Sequence, residues 1–177
     1  GAANTEASFY RDRPVFVIGG ANSAGQGAML FSQFSSKVTM IVRADSLEAT
    51  MSQYLIDQIG ETSNIEVLFN SEVEEVHGDT SLEAIDLRNN KSNETKKHEA
   101  AAMFIFIGAA PHSELVSEVV ETNPAGFILT GADVALGETE FPLERDPYLT
   151  ETSVPGIFAA GDVQHGTVKR VATAVGQ

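Results

Sequence analysis

The order of apolar and polar positions predicts a strand, a tight turn and a helix near the start of the chain. Val15–Ile18 is an apolar run too short for a helix, and it ends at Gly19 and Gly20. From Asn22 onwards, small residues recur at helical spacing. A β-rich run over 37–42 comes next, so the whole segment predicts a βαβ unit with two strands in one sheet.

A further helix and several short strands are predicted after this unit. Residues 45–48 are Asp-Ser-Leu-Glu, which is typical of a helix N-cap with an acid at the third helical position. The predicted helix carries an apolar stripe of Leu47, Met51, Leu55 and Ile59. Short strands are predicted at 65–69, 71–77, 82–88 and from about 99 to 108. The last one ends in an apolar run typical of a strand buried on both faces, and a meander replaces the second crossover helix.

The pattern is less regular after His112. It predicts a short helix over 113–120, a strand over 127–129, an acidic loop region over 131–147 and a buried strand that ends at Gly161 and Asp162. A helical stripe of Val168, Val171, Ala172 and Val175 then has no stop signal. Because the chain also begins without methionine, we expect it to be a piece of a longer protein.

Composition restricts the classes of function. The chain has 177 residues with 42% hydrophobic content, so a packed core is expected. It has no apolar run of about 18 residues and no signal-peptide pattern, so we expect a cytoplasmic protein without a membrane partner. A net charge of −14 disfavours nucleic acid as a partner. The absence of cysteine excludes disulfides, thiolate metal sites and dithiol chemistry on this chain.

The glycine turn is the main candidate site. A helix that starts directly after a strand presents free N–H groups and the positive end of its dipole, which together stabilise a diphosphate. Gly19 fits the tight turn of a G-x-G-x-x-G/A motif, and Ala24 fits its last position, where a helix packs closely on a sheet. The middle position is Ala21, which departs from the motif. The alternative is a tight strand-to-helix connection without a ligand.

Arg43 follows the second predicted strand, about 20 residues after the glycines. In a dinucleotide-binding βαβ unit this strand end meets the adenosine ribose, where a base accepts a 2′-phosphate and an acid selects a free 2′-hydroxyl. Arg43 therefore favours NADP, although a solvated loop arginine is the alternative.

Asp162 is a second candidate, since a carboxylate after a strand suits a ligand hydroxyl. Its alternative is a helix cap. No catalytic side chain is assigned, because the histidines lack a partner at nucleophile or metal spacing and are expected on the surface. These are His77, His98, His112 and His165. The acids Glu72, Glu74 and Glu75 are interpreted as one solvated strand region.

Three motifs together resemble the low-molecular-weight thioredoxin reductase family of flavoproteins. Residues 17–24 (VIGGANSA) resemble the family's V-I-G-G-G-N-S-A turn, 104–111 resemble its glycine-ending strand, and 152–162 resemble its T-S-x-P-G-[IV]-F-A-A-G-D flavin motif. The resemblance implies an α/β fold, in which a Rossmann-like nucleotide-binding domain with a β-meander crossover is followed by a partial FAD-binding domain. The implied division is a lead-in over 1–13, an NAD(P)H-binding domain over 14–112 and the C-terminal portion of the FAD domain over 113–177.

The resemblance also implies two cofactors, NADPH (or NADH) and FAD. The implied nucleotide-binding residues are Gly19, Gly20, Ala21, Asn22, Ser23, Ala24, Arg43, Ile107 and Gly108. The implied flavin-binding residues are Gly161, Asp162, Lys169, Arg170 and Val171. Asp162 would bind the ribityl chain, and the last three align with a segment that lies against the isoalloxazine. A homodimer is implied for the full-length protein.

Three departures limit what the resemblance implies. The family's Cys-x-x-Cys aligns with Ala2 and Thr5, so electrons cannot leave the flavin through a dithiol here. The family's 2′-phosphate motif H-R-R-x-x-x-R keeps only Arg43, and Glu48 stands where its last arginine would be. The N-terminal flavin half is missing. The chain looks closest to a cysteine-free branch of the family, and ferredoxin reductases of similar architecture also lack the dithiol.

The sequence therefore predicts a fragment of an FAD-dependent NAD(P)H oxidoreductase, inactive alone, that passes hydride from nicotinamide to FAD and on to an unknown acceptor. The alternatives are a nicotinamide-nucleotide-binding regulatory or interaction module without turnover, and a ferredoxin-NADP reductase-like enzyme.

Overall fold

The computed structural model describes residues 4–136 and 141–177. The chain divides into two compact units, Gly1–Ile107 and Gly108–Gln177. The division falls a few residues before the domain boundary expected at 112. The assignment of each unit to a cofactor stays a prediction.

A four-stranded parallel sheet forms the centre of the first unit, with the strand order β3-β2-β1-β7. Its strands are β1 (Pro14–Ile18), β2 (Lys37–Ile41), β3 (Ile65–Leu68) and β7 (Ala102–Ile105). The predicted βαβ unit is present, since β1 and β2 pair in parallel and α2 (Asn22–Ser32) connects them. A short helix that the sequence did not predict, α1 (Asn4–Ser8), precedes β1 within the expected lead-in.

Small residues on α2 allow it to lie close to the sheet. Ala24 and Ala28 are fully buried, as the motif predicts. Phe31 is also fully buried, and its ring stacks on Phe104 of β7 with centroids 3.9 Å apart. A Cβ at Gly27 would lie 2.9 Å from the Phe106 ring. This packing fixes the start of α2 at the carboxyl end of β1.

The helix after β2 begins later than the sequence predicts. It is α3 (Gln53–Glu61), with Ser52 as its N-cap, so the N-cap predicted at residue 45 is wrong. Residues 47–51 form a separate turn instead, in which the N–H groups of Thr50 and Met51 donate to the Leu47 carbonyl. The apolar stripe is nevertheless buried as predicted: Leu47, Met51, Leu55 and Ile59 all belong to the core under α2 and α3.

The predicted meander is an antiparallel sheet of three strands, β4 (Ser71–His77), β5 (Ala84–Asn89) and β6 (Thr95–Glu99). Ile85 and Leu87 of β5 pack against Phe16 and Ile41 on one face of the parallel sheet. The sequence analysis missed β6 as a separate strand because its residues, Thr-Lys-Lys-His-Glu, have no apolar alternation.

The last strand of the first unit was wrongly predicted to be buried on both faces. β7 is an edge strand next to β1 only, and Ile105 and Ile107 are 60% and 68% exposed. The residues that alternate with them, Phe104 and Phe106, pack against the core under α2. On the opposite face, Met103 packs against the core around Phe16. The continuous apolar run therefore marks an edge strand that is covered on both faces at its start and exposed on one face from Ile105 onwards.

The second unit has little regular structure around a small core of Val120, Ile128 and Ala159. Its described helices are α4 (Ala132–Ala135), the 3-10 turn Gly161–Val163 and α5 (Val171–Gly176). Residues 137–140, within the expected acidic loop, lie outside the described part.

Three predictions for the second unit are wrong. Residues 113–120 form turns rather than a helix. The strand expected at 127–129 is reduced to bridges of Ile128 with Thr122 and Gln164. The strand expected before Gly161 is a single bridge between Glu151 and Phe158, because the chain reverses at Pro155 and Gly156, where Gly156 has a φ of 83°. In the described part of the chain, no helix has both the length and the apolar character needed to cross a bilayer.

Candidate functional site

The glycine turn lies between the carboxyl ends of three parallel strands. The Gly19 N–H donates to the Ile41 carbonyl at the end of β2 (3.0 Å), and the Phe106 N–H after β7 donates to the Ile18 carbonyl (2.8 Å). Gly19 has a φ of 136°, and a Cβ there would lie 2.4 Å from the Phe106 carbonyl oxygen. Only glycine fits this position, because both its backbone conformation and its close neighbour exclude a side chain.

The N-terminus of α2 follows this turn directly and is accessible. Ala21 is the N-cap and has extended backbone, with no side-chain hydrogen bond to the helix. The first intrahelical donor is Gly25, whose N–H reaches the Ala21 carbonyl (3.1 Å). The preceding N–H groups of the first turn have no partner within the helix, and Ala21, Asn22 and Ser23 are exposed. These donors, the helix dipole and the absence of a Cβ at Gly19 and Gly20 fit a diphosphate.

Two hydrogen bonds connect the glycine turn to the loop before α3. The Thr50 hydroxyl donates to the Gly20 carbonyl (2.7 Å), and the Ser52 N–H donates to the Asn22 side-chain oxygen (2.9 Å). Sequence reasoning missed Thr50 and Ser52, which are 30 residues away from their partners. The signal was the pair of hydroxyl residues Thr50 and Ser52, which flank the buried Met51 within the segment predicted as a helix.

Arg43 is exposed in the loop directly after β2. The backbone of this loop is held on both sides, since Ser71 N–H donates to the Val42 carbonyl (3.0 Å) and Asn70 N–H to the Ala44 carbonyl (2.9 Å). The Arg43 guanidinium has no recorded hydrogen bond or ion pair within the part of the chain that the structure describes. A guanidinium without a partner among the described residues, at this strand end, is consistent with the expectation that Arg43 binds the 2′-phosphate of NADPH.

The two acids near Arg43 differ in their contacts. Asp45, predicted as a helix cap, is exposed and lies 3.7 Å from the Lys91 ammonium. Glu48 is exposed, within the turn that precedes α3.

Two further predicted residues follow the carboxyl end of β7. The Ile107 side chain is exposed, and Gly108 has a φ of 86° with open space at its Cβ position. The cofactor-binding roles of Arg43, Ile107 and Gly108 stay predictions.

The residues that align with a flavin-binding motif lie close together in the second unit. Asp162 is exposed in the 3-10 turn, and its main-chain carbonyl accepts a hydrogen bond from the Lys169 ammonium (2.9 Å). That ammonium also lies 3.9 Å from the centre of the Phe127 ring. Arg170 is the N-cap of α5, and Val171, its first residue, is 81% exposed.

These contacts show which polar groups of the motif are left to bind a flavin and which are already bound within the protein. The Asp162 carboxylate has no recorded hydrogen bond to the described residues, so it fits a ligand hydroxyl. The Gly161 N–H is already bound to the Gln177 side chain (2.8 Å), and Lys169 is occupied by Asp162 and Phe127. Gln177 in turn contacts the buried Gln164, which donates to Thr130. This series of hydrogen bonds, from Gly161 through Gln177 and Gln164 to Thr130, is not predicted by the sequence.

An ion pair between the buried Glu151 and the partly exposed Arg145 stabilises the loop before the Gly161 turn. Both carboxylate oxygens of Glu151 accept hydrogen bonds from Arg145 (2.7 and 2.9 Å), and backbone N–H groups of Tyr148 and Gly156 donate to it (2.9 and 3.0 Å). The Arg145 guanidinium and these N–H groups outweigh the effect of burial and lower the pKa of Glu151 to about 2. Sequence reasoning missed this pair, since it had assigned the region to an acidic loop.

The histidines are less isolated than the sequence suggested. His77 Nε2 lies 2.8 Å from an Asp86 carboxylate oxygen on the neighbouring strand, and Glu75 offers a third ligand atom, all within 4.8 Å of one another. His165 contacts Asp133 at 2.9 Å. His77 and His165 are therefore not isolated in the structure, because strand pairing and loop packing bring them next to carboxylates that are distant in sequence. That no histidine is catalytic or binds a metal stays a prediction. The dithiol-equivalent Ala2 lies outside the described residues.

Comparison with known proteins places the chain in a family. The family model described as pyridine nucleotide-disulphide oxidoreductase matches residues 2–177. The thioredoxin reductase of Debaryomyces hansenii is 34% identical over 168 residues, which cover 94% of this chain and 47% of that protein. Thioredoxin reductase 1 of Saccharomyces cerevisiae is also 34% identical, with the same coverage.

Solved structures give the same result for the fold. The crystal structure of Lactococcus lactis thioredoxin reductase matches with a TM-score of 0.75 and 28% identity, over 97% of this chain and 51% of that one. The thioredoxin reductase of T. acidophilum matches with a TM-score of 0.74 and 26% identity, over 98% and 52% of the two chains. The chain thus spans about half the length of the proteins it matches. The resemblance and the α/β fold class predicted from the sequence are confirmed, and the chain belongs to the pyridine nucleotide-disulphide oxidoreductase family.

Proposed function

We propose that this chain provides the nicotinamide-nucleotide site of an FAD-dependent oxidoreductase. The observation that carries the proposal is the accessible N-terminus of α2 directly after the Gly19 turn, at the carboxyl edge of a parallel sheet. Ligands of open parallel sheets bind at this edge, and a diphosphate needs the free N–H groups found there. Gly19, Gly20, Ala21, Asn22, Ser23 and Ala24 would hold the diphosphate, with Ile107 and Gly108 beside it.

In the whole protein, FAD when bound would accept a hydride from the nicotinamide. The chain's own contribution would be to bind and orient the cofactors. The α2 amides would hold the diphosphate, the Arg43 guanidinium would lie at the adenosine end, and the Asp162 carboxylate would accept a hydrogen bond from a ribityl hydroxyl. Arg170 and Val171 are exposed at the start of α5, where the resemblance puts the isoalloxazine. The sequence has no cysteine, so the acceptor is not a dithiol of this chain. The homodimer and the cytoplasmic location stay predictions.

A nucleotide-binding module without turnover is the second candidate function. It is favoured by two observations: Ala21 replaces the middle glycine of the turn, and Gln177 occupies the Gly161 N–H. On either proposal the chain binds nicotinamide nucleotide. They differ in whether the full-length protein uses the nucleotide to reduce a flavin.

Two measurements test the proposal. Calorimetric titration of the chain with NADPH and with NADH should give saturable binding of at least one of them, whereas no heat at millimolar nucleotide would contradict it. The chain should purify with little flavin, since it spans about half the length of its relatives and the resemblance implies only the C-terminal portion of the FAD domain, and a stoichiometric flavin spectrum would refute that part. In the full-length protein, bleaching of the flavin by NADPH or NADH supports the enzyme. Nucleotide binding without bleaching supports the module.

A further inference from the structure

The peptide bond between Gly20 and Ala21 lies at the centre of the glycine turn. The described part of the chain has no cis peptide, and in a planar trans peptide the C=O and the N–H point in opposite directions. The Thr50 hydroxyl donates to the Gly20 carbonyl at 2.7 Å. This bond therefore also fixes the direction of the Ala21 N–H, which points away from Thr50.

Two features of the turn hold this peptide in its orientation. Gly20 has no Cβ, so ψ of Gly20 rotates at little cost, whereas the Cβ of Ala21 (φ −101°) disfavours the positive φ that a full reversal would give Ala21. The Thr50 bond adds to that steric preference and opposes partial rotation as well. The Ala21 N–H has no recorded partner among the described residues. A rotated peptide would present the Gly20 carbonyl oxygen to a bound anion in place of the N–H, and the interaction would change from attraction to repulsion.

We propose that Thr50 is a positioning residue for the diphosphate of the nicotinamide nucleotide. It holds the Gly20 carbonyl away from the anion and so keeps the Ala21 N–H available as a donor. The proposal rests on the proposed function, because it assumes that the nucleotide binds at α2. It adds a residue outside the glycine motif that acts on that site without touching the ligand.

The surroundings of Thr50 are suited to this role. The Ser52 N–H donates to the Asn22 side chain at 2.9 Å and holds the same loop against the first residue of α2. A Cβ on Gly25 would lie 2.5 Å from Leu55, so α2 and α3 are in close contact just behind the turn. Thr50 itself is exposed. Its hydroxyl can therefore be removed without a cavity in the core.

The test compares Thr50→Val, which removes the hydroxyl at nearly constant shape, with Thr50→Ser, which keeps it. Titration with NADPH and with NADH should show that Thr50→Val weakens both by about fivefold, the effect of one hydrogen bond, while Thr50→Ser stays within about twofold of the wild type. The ³¹P resonances of the bound diphosphate should differ between wild type and Thr50→Val, and agree between wild type and Thr50→Ser. A purely structural role would lower the unfolding midpoint without this pattern.

Three results would overturn the inference. Equal affinity of Thr50→Val and wild type would remove Thr50 from the site and leave the proposed function intact. Equal losses in Thr50→Val and Thr50→Ser would show that the hydroxyl is not responsible. No binding by the wild type would overturn the proposed function and this inference together. If Thr50→Val does not fold, the comparison is made on Thr50→Ala, which also removes the hydroxyl at this exposed position and is expected to weaken both nucleotides by about fivefold.

Discussion

Individual residues determine the character of the candidate site more than any cluster of charge does. Gly19 is required by its backbone conformation, and Thr50 and Asn22 hold the turn from the side. The sequence motif predicts the first of these because a φ of 136° and a neighbour at 2.4 Å both demand glycine. It does not predict Thr50 or the bond between Asn22 and Ser52, because hydrogen bonds across 30 residues leave no periodic signal.

Substitution of Arg43 tests whether the proposed site distinguishes NADPH from NADH. Since the guanidinium is exposed and free of recorded partners in the described part of the chain, Arg43→Ala should weaken NADPH by about 1–3 kcal/mol and NADH much less. The measurement is the ratio of the two dissociation constants from calorimetry. Arg13→Ala, which removes an exposed arginine just before β1, is the control and should leave the ratio unchanged. Equal losses of both nucleotides in Arg43→Ala would show that Arg43 does not contact a 2′-phosphate.

Glu151 makes the second unit sensitive to acid. Its pKa in the folded protein is about 2, below the ordinary value of 4.5, so its carboxylate stabilises the folded state at pH values above about 4.5. This contribution is lost as the pH falls from about 4.5 towards 2. Glu151→Gln should therefore lower the unfolding midpoint at pH 7 by at least about 5 °C, and the difference from wild type should shrink through this window.

Circular dichroism at several pH values measures this difference. Glu144→Gln, which neutralises an exposed acid of the same loop, is the control and should behave as the wild type. A difference between Glu151→Gln and wild type that stayed constant from pH 7 to pH 2 would contradict the role given to the ion pair.

At the scale of elements, hydrophobic patterning predicts most of the first unit. The strands β1 to β5 and helix α2 follow from apolar positions between glycine and polar turns, because each element carries its own buried face at strand or helix spacing. The start of α3 is not predicted, since Thr50 and Ser52 bind the glycine turn rather than continuing a helix. In the second unit, few residues share a core, and the apolar segments at 113–120 and 127–129 do not become a helix or a strand.

Two glycine-to-alanine substitutions should have opposite effects on stability, one in the glycine turn and one in helix α3. Gly19→Ala places a Cβ 2.4 Å from a backbone oxygen and should destabilise the chain by about 2–4 kcal/mol. Gly60→Ala, in α3 with nothing within 4 Å of its Cβ position, should stabilise it by about 0.5–1 kcal/mol. Urea unfolding measures both values. A stable Gly19→Ala chain would contradict the described geometry of the turn.

At the scale of the whole molecule, composition, the two structural units and family membership are all consistent with part of a nucleotide-binding oxidoreductase. The chain carries a net charge of −14, so the proposed site would have to hold an anionic nucleotide by local donors rather than by general electrostatic attraction. The secondary structure of the first unit, which has the parallel sheet and a large core, is mostly predicted by the sequence. That of the second unit, whose core has few residues, is mostly not. Family membership extends over nearly the whole chain, whereas the chain spans about half of its relatives.

The central claim is that backbone amides at the start of α2 hold the diphosphate of a nicotinamide nucleotide. The most direct test is a titration of the ¹⁵N-labelled chain with NADPH and NADH, followed by the amide resonances of residues 19–23. The account predicts saturable shifts at these residues with at least one nucleotide, and smaller shifts around Gly60 in α3. If these resonances did not move at millimolar nucleotide, the claim would be wrong.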